Sequence, residues 1–206
     1  MKNLFLIIIM LVLGQTLVSQ DIQSSTKGVS ATANGIYSGW SSDSFFLGRL
    51  AEEEPAGTGF NLGVGYGFNQ QFSAHVQYAY LDFSTDVLWD KFAVTSINLS
   101  GRMTFGATLR AIRPYIGAGI TSVSMKVDPV TFDNFGEFEL VNSGIGFLFN
   151  GGVDYFILPN LAIGFYGEFS SGSFSNISLS GERVDVDESI DFSFFNINLG
   201  VRYYFE

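Results

Sequence analysis

From Phe195 to Phe205 every second residue is bulky and apolar: Phe195, Ile197, Leu199, Val201, Tyr203 and Phe205. The residues between them are Asn196, Asn198, Gly200, Arg202 and Tyr204. Side chains alternate across a strand, so this stretch predicts a strand with one oily face and one polar or small face. The oily face carries no charge, and only Glu206 follows it. Such a strand must set its oily side against either a protein core or lipid.

The same two-faced pattern recurs along the chain, separated by breaks rich in Gly, Ser, Asn or Asp. The expected strands are Val29–Trp40, Gly57–Phe68, Phe72–Phe83, Phe92–Phe105, Arg113–Lys126, Ser143–Ile157, Leu161–Ser173 and Phe192–Phe205. The first is the weakest, because its outward residues are small. In the second, Phe60, Leu62, Val64, Tyr66 and Phe68 oppose Gly59, Asn61, Gly63, Gly65 and Gly67. The breaks at residues 69–71, 106–112 and 158–160 are short. Those near 41–56, 84–91, 127–142 and 174–191 are long. Short turns at one end and long loops at the other are expected of a transmembrane barrel. A ten-residue strand tilted by about 45° rises roughly 24 Å along the membrane normal, which suits an apolar band. Aromatics at both strand ends predict two interfacial rings. Phe68, Phe72, Phe105, Tyr155, Tyr203 and Phe205 would form one, and Trp40, Tyr80, Phe92 and Phe169 the other.

Alternation does not say which face points out, since a soluble lipocalin-like carrier also has eight two-faced strands. Size argues for lipid outside. An eight-stranded barrel has room for one layer of fitted side chains. A lining of Phe, Tyr, Leu and Ile from every strand would overfill it, whereas Gly, Ser, Asn and Thr fit. A soluble barrel would also want charges on its wet face, and the second strand offers only Gly and Asn there. The expected fold is therefore all-β: an eight-stranded antiparallel up-and-down transmembrane β-barrel.

Composition agrees. Hydrophobic residues make up 47% of the chain, yet only residues 4–13 form a long unbroken apolar run. Alternation dilutes hydrophobicity in this way in membrane barrels. Lys2, that short run and the small residues after it have the layout of a secretory signal. The run is too short to span the membrane as a helix, which takes about 20 residues. The expected organisation is a signal peptide over 1–19, a short polar lead-in over 20–28 and the barrel over 29–206. The formal charge of −10 argues against nucleic acid as a partner. With no cysteine, thiolate chemistry and disulfides are excluded.

Four segments carry a resemblance. They are GTGFNLGVGYGFNQQFSAHVQYAYLDF (57–83), RPYIGAGI (113–120), GFLFNGGVDYFILPNLAIGFYGEF (146–169) and NINLGVRYYF (196–205). Together with the closing strand and its near-terminal aromatic, they resemble the small OmpA-like outer-membrane β-barrel family. The resemblance implies an integral outer-membrane location in a Gram-negative cell envelope, and structural, adhesive or unassigned roles. It also implies contact with outer-membrane lipid and lipopolysaccharide, and with the barrel-assembly machinery during insertion. The peptidoglycan-binding domain of full OmpA proteins is not expected here, so a wall-tethering role does not carry over.

By parity of register, His75, Arg102, Asp154, Glu168 and Arg202 point inward, with Tyr115 and Tyr166. Charges in a narrow interior must pair or be costly. The expectation is a structural polar cluster that plugs the lumen in a monomeric barrel, with a narrow channel, gate or small-solute binder as the alternative. Small outer-membrane barrels that modify lipid A use a His, a Ser and an acid. Here His75 is the sole histidine, and no such set is evident around it, so no catalysis and no cofactor are expected. The long loops collect most of the acids. Glu52, Glu53, Glu54, Asp185, Asp187 and Glu188 are candidates to gather divalent cations, since carboxylate oxygens suit Ca²⁺ or Mg²⁺. Their spacing does not match an EF-hand loop. Phe132, Phe135 and Phe138 would make sticky loop contacts, pack the loops on one another, or continue the strands above the membrane.

Overall fold

The computed structural model describes residues 23–41, 55–84, 91–132, 136–179, 181–184 and 190–205. Nine strands follow in chain order: β1 (Gly28–Ser41), β2 (Ala56–Gly67), β3 (Phe72–Ser84), β4 (Lys91–Thr104), β5 (Ile112–Phe132), β6 (Gly136–Leu158), β7 (Leu161–Leu179), β8 (Glu182–Val184) and β9 (Ile190–Tyr204). Each of β1 to β6 pairs antiparallel with the next; β7 pairs with β6, β8 and β9. The sheet closes where β9 meets β1, from Ser30↔Tyr204 to Ser41↔Ser193. β8 pairs only with the loop end of β7, so the barrel proper has eight strands. Closure satisfies the backbone of every barrel strand without an open edge, a condition for strands in lipid.

The alternation resolves in one direction. On β9 Leu199 is 59% exposed while its neighbour Asn198 is 1% exposed. The same holds around the wall: Phe60, Val76, Ile97, Ile116, Phe147 and Phe165 face out. Asn61, Gln77, Asn98, Thr121 and Tyr166 face in. A soluble carrier with an oily interior throughout is not this arrangement. The small outward residues of β1 leave a shallow furrow of about 620 Å³ over Ala31 and Ala33, walled by Leu62, Val64, Val201 and Tyr203.

Two expectations need correction. Trp40 and Phe92 belong to no outer ring: they are 1% and 0% exposed and lie inside the barrel. The outward aromatics at the turn end, including Phe68, Phe72, Tyr203 and Phe205, do face out, as does Phe169 toward the loops. The size argument also holds for only part of the interior. At the loop end the inner face switches to bulky apolar residues, which meet one another across the axis. A barrel can hold a hydrophobic core over part of its height if glycines and amides occupy the remainder.

The wall is taller on one side than the alternation suggests. β4 and β5 pair only as far as Phe92↔Val127, but β5 and β6 run on to Phe132↔Gly136. The expected loop over 127–142 is thus largely a hairpin, with a register shift between Val127 and Val130. At the base of this extension Val127 is still buried and Leu140 packs against the same apolar cluster.

Candidate functional site

Among the described residues, the interior brings together charged and polar side chains from many strands. It is built in layers from the turn end upward.

The floor is a strap. Residues 23–27 cross the mouth of the barrel and tie its three short turns together. Ser24 N donates to Thr108 O at 2.7 Å, and Ser25 N donates to Pro159 O at 3.0 Å. Thr26 N donates to Gln70 Oε1, and its hydroxyl to Gln70 O, both at 2.9 Å. Arg113 locks the strap from within. Its Nη1 donates to Ser24 Oγ at 3.1 Å, Nη2 to Gln70 O at 2.7 Å and Nε to Phe105 O at 3.1 Å. Sequence reasoning omitted Arg113 from the inward set, although it shares the parity of Tyr115 two residues on. It stands first in the strand expected from the sequence, Arg113–Lys126, where parity had no earlier residue to anchor it.

The next layer holds the charges. Asp154, at the turn end of β6, is fully buried. Its Oδ2 accepts from Arg102 Nη2 of β4 and from Arg202 Nη1 of β9, the latter at 2.5 Å. Tyr204 OH donates to the same oxygen at 3.4 Å, and Arg202 Nε donates to Thr32 Oγ1 at 3.1 Å. The Arg102 guanidinium also lies over the Tyr115 ring, 3.2 Å from its centroid. Planar guanidinium suits both contacts at once.

His75 sits beside this layer. Its Nε2 lies 2.8 Å from Ser73 Oγ, two residues away on the same face of β3. A hydroxyl of the same inward parity therefore does stand within hydrogen-bond reach of the histidine. No described carboxylate hydrogen-bonds to the ring to orient it, so the pair lacks the third member of a triad. The space for the imidazole comes from Gly65 on β2, where a Cβ would lie 2.4 Å from His75 Nδ1.

Amides and Tyr166 fill the middle. Tyr166 OH accepts from Asn34 Nδ2 (3.2 Å), Asn61 Nδ2 (3.4 Å) and Gln77 Nε2 (3.4 Å). Glu168 does not join the arginines. Its Oε1 accepts from Asn98 Nδ2 at 3.2 Å and Asn196 Nδ2 at 3.3 Å, while Thr121 Oγ1 donates to Asn98 Oδ1. Of the five expected residues, Arg102, Asp154 and Arg202 form one network. His75 and Glu168 are buried at the same axis but bonded elsewhere.

The top is aromatic. Trp40 stacks on Phe194 and meets the edges of Phe83 and Phe92. Phe83 and Phe92 are stacked at 4.7 Å, and Leu81, Val94, Val123 and Met125 complete the cluster. The signal for this layer was present: Leu81, Phe83, Phe92 and Val94 carry inward parity in strands whose lower inward positions are polar.

Among the described residues no group of three or more His, Cys, Asp or Glu is placed to hold a metal ion. The six acids considered for cation binding, Glu52, Glu53, Glu54, Asp185, Asp187 and Glu188, lie outside the described residues.

A family model for the outer membrane protein beta-barrel domain matches residues 6–205. The chain belongs to that family. It is an integral outer-membrane barrel. The fold is similar to that of Neisserial surface protein A, with 20% identity, 87% of this chain and 98% of that chain covered, and a TM-score of 0.64. It is also similar to outer membrane protein OprG from Pseudomonas aeruginosa (15% identity, 90% and 100% covered, TM-score 0.58). A third likeness is to Ail, the attachment invasion locus protein of Yersinia pestis (16% identity, 86% and 100% covered, TM-score 0.51). At these identities the likeness is one of fold. No curated protein matches in sequence.

Proposed function

We propose that this family member is a non-catalytic barrel whose work is done at the cell surface. In this reading the lumen is closed to solutes, and the long acidic loops serve a structural or interaction role. The observation that carries the reading is the stack of the Trp40 aromatic layer over the Arg102–Asp154–Arg202 network. Solute passage would have to disrupt both layers, and a buried ion pair resists loss of either partner by about 3–5 kcal/mol. The absence of an acid hydrogen-bonded to His75, among the described residues, supports a structural part for the Ser73–His75 pair. The partners proposed are outer-membrane lipid and anionic lipopolysaccharide, the latter bridged by divalent cations to loop carboxylates, with the assembly machinery acting during insertion. We take the barrel to be monomeric.

The test is conductance of the purified barrel in a planar bilayer. The expected result is no unitary current above background. Discrete openings in the wild type would replace this reading with that of a narrow channel.

A further inference from the structure

Beside the ion-pair layer, within the lumen, lies a small cavity of about 10 Å³, close to the least space that holds one water. Two guanidiniums, Arg102 and Arg202, and the imidazole of His75 line it, with the amides of Gln77 and Asn150 and hydroxyls of Ser100, Tyr115 and Tyr166. No carboxylate is among the lining residues: Asp154 and Glu168 both lie outside it. Arg102 is 5% exposed, and its Nε and Nη1 are buried without a hydrogen-bond partner.

Charge points the same way. Among the described residues Asp154 is the one carboxylate bonded to Arg102 and Arg202, so two guanidiniums share one carboxylate, whose Oδ1 is itself buried without a partner. Arg113 below is bonded, among its described contacts, to neutral oxygens alone. An uncompensated charge away from water is costly unless a counter-charge or strong hydrogen bonds meet it. We infer that this cavity is a binding site for one small anion of the halide class, held by the free N–H groups of Arg102 with Arg202 and His75 alongside. One lining atom opposes it. Asn150 Oδ1 is a buried acceptor without a partner. A neutral water would satisfy that atom and leave two guanidiniums sharing one carboxylate.

The site is independent of whether the barrel conducts. It is tested directly with bromide as the probe. Crystals of the barrel grown or soaked in sodium bromide are measured at the bromine edge. The expected result is an anomalous peak within hydrogen-bonding distance of Arg102 Nε or Nη1, lost in Arg102→Lys, which keeps one charge but not the forked donors. Density there without an anomalous signal identifies a water and overturns the inference. Bromide at the protein surface alone, an adventitious ion only, does the same. In solution, the wild-type Arg102 Nε–H resonance is expected to shift saturably with bromide replacing gluconate at constant ionic strength. A flat titration would also overturn the site, whether or not the variant folds.

Discussion

Trp40 lies flat against Phe194, with ring centroids 5.8 Å apart and planes 5° from parallel. The two residues face each other across adjacent strands, Trp40 pairing with Phe194 in the β1–β9 ladder. The seam that closes the barrel therefore carries the centre of its aromatic layer. Replacing Trp40 with Ala removes the ring around which Phe83, Phe92, Phe174 and Phe192 are arranged. We expect a loss of about 3–5 kcal/mol in unfolding free energy, the usual range for a large buried aromatic. Urea unfolding from lipid vesicles measures it. A loss under about 1 kcal/mol would mean that the layer is loosely packed.

Asp154 serves two guanidiniums, so its removal should cost more than the loss of either arginine's own packing. Asp154→Asn leaves Arg102 and Arg202 buried with no described anionic partner. The expected destabilisation is about 3–5 kcal/mol, as for breaking a buried pair from one side. A double-mutant cycle with Arg202→Met should recover part of that loss. Additive losses would show that the two residues do not interact in the folded state.

The strap offers a local readout. Ser24→Ala removes the hydroxyl that bonds Thr108 O, Arg110 O and Arg113 Nη1. The expected outcome is a global stability change of roughly 1 kcal/mol and faster hydrogen exchange at the amides of residues 24–26. Unchanged protection there would show that the strap is held by its backbone bonds alone.

The outer face can be tested against the inner one at adjacent positions. Leu199→Arg places a cation against lipid near mid-strand, and should cost about 2–4 kcal/mol. Refolding yields in vesicles of matched thickness provide the comparison. An equal tolerance at Leu199 and at the turn end of β9, for example at Tyr203→Arg, would contradict a membrane band centred on Leu199.

Gly65 provides a test of close approach. A Cβ there would meet the His75 ring and lie 2.8 Å from Ser30 Oγ. Gly65→Ala should displace the imidazole and break the Ser73–His75 contact, at a cost of about 1–3 kcal/mol. The ring resonances of His75 report it; an unshifted spectrum would place the ring elsewhere.

Much of the wall was legible in the chain. The two-residue period set the strands and their faces, and the short turns at Asn69 and Pro159 set the neighbours. Parity alone brought His75, Arg102, Asp154, Glu168 and Arg202 to one interior. Strand tops were less legible. Over 127–142 alternation lapses while β5 and β6 stay paired, with a register shift between Val127 and Val130 that breaks the two-residue period. Trp40 and Phe92 were misplaced because an aromatic near a strand end fits either an interfacial ring or an inner core, and parity had to outrank that habit.

What the sequence determined by itself was the period, and with it a wall that is oily on one side. Period fixes direction relative to the sheet but says nothing about distance across it. Only the closed barrel decided that Asp154 meets Arg102 and Arg202 while Glu168 meets amides. The contacts depend on the stagger of eight strands around an axis, so residues far apart in the chain reach the same height from opposite walls.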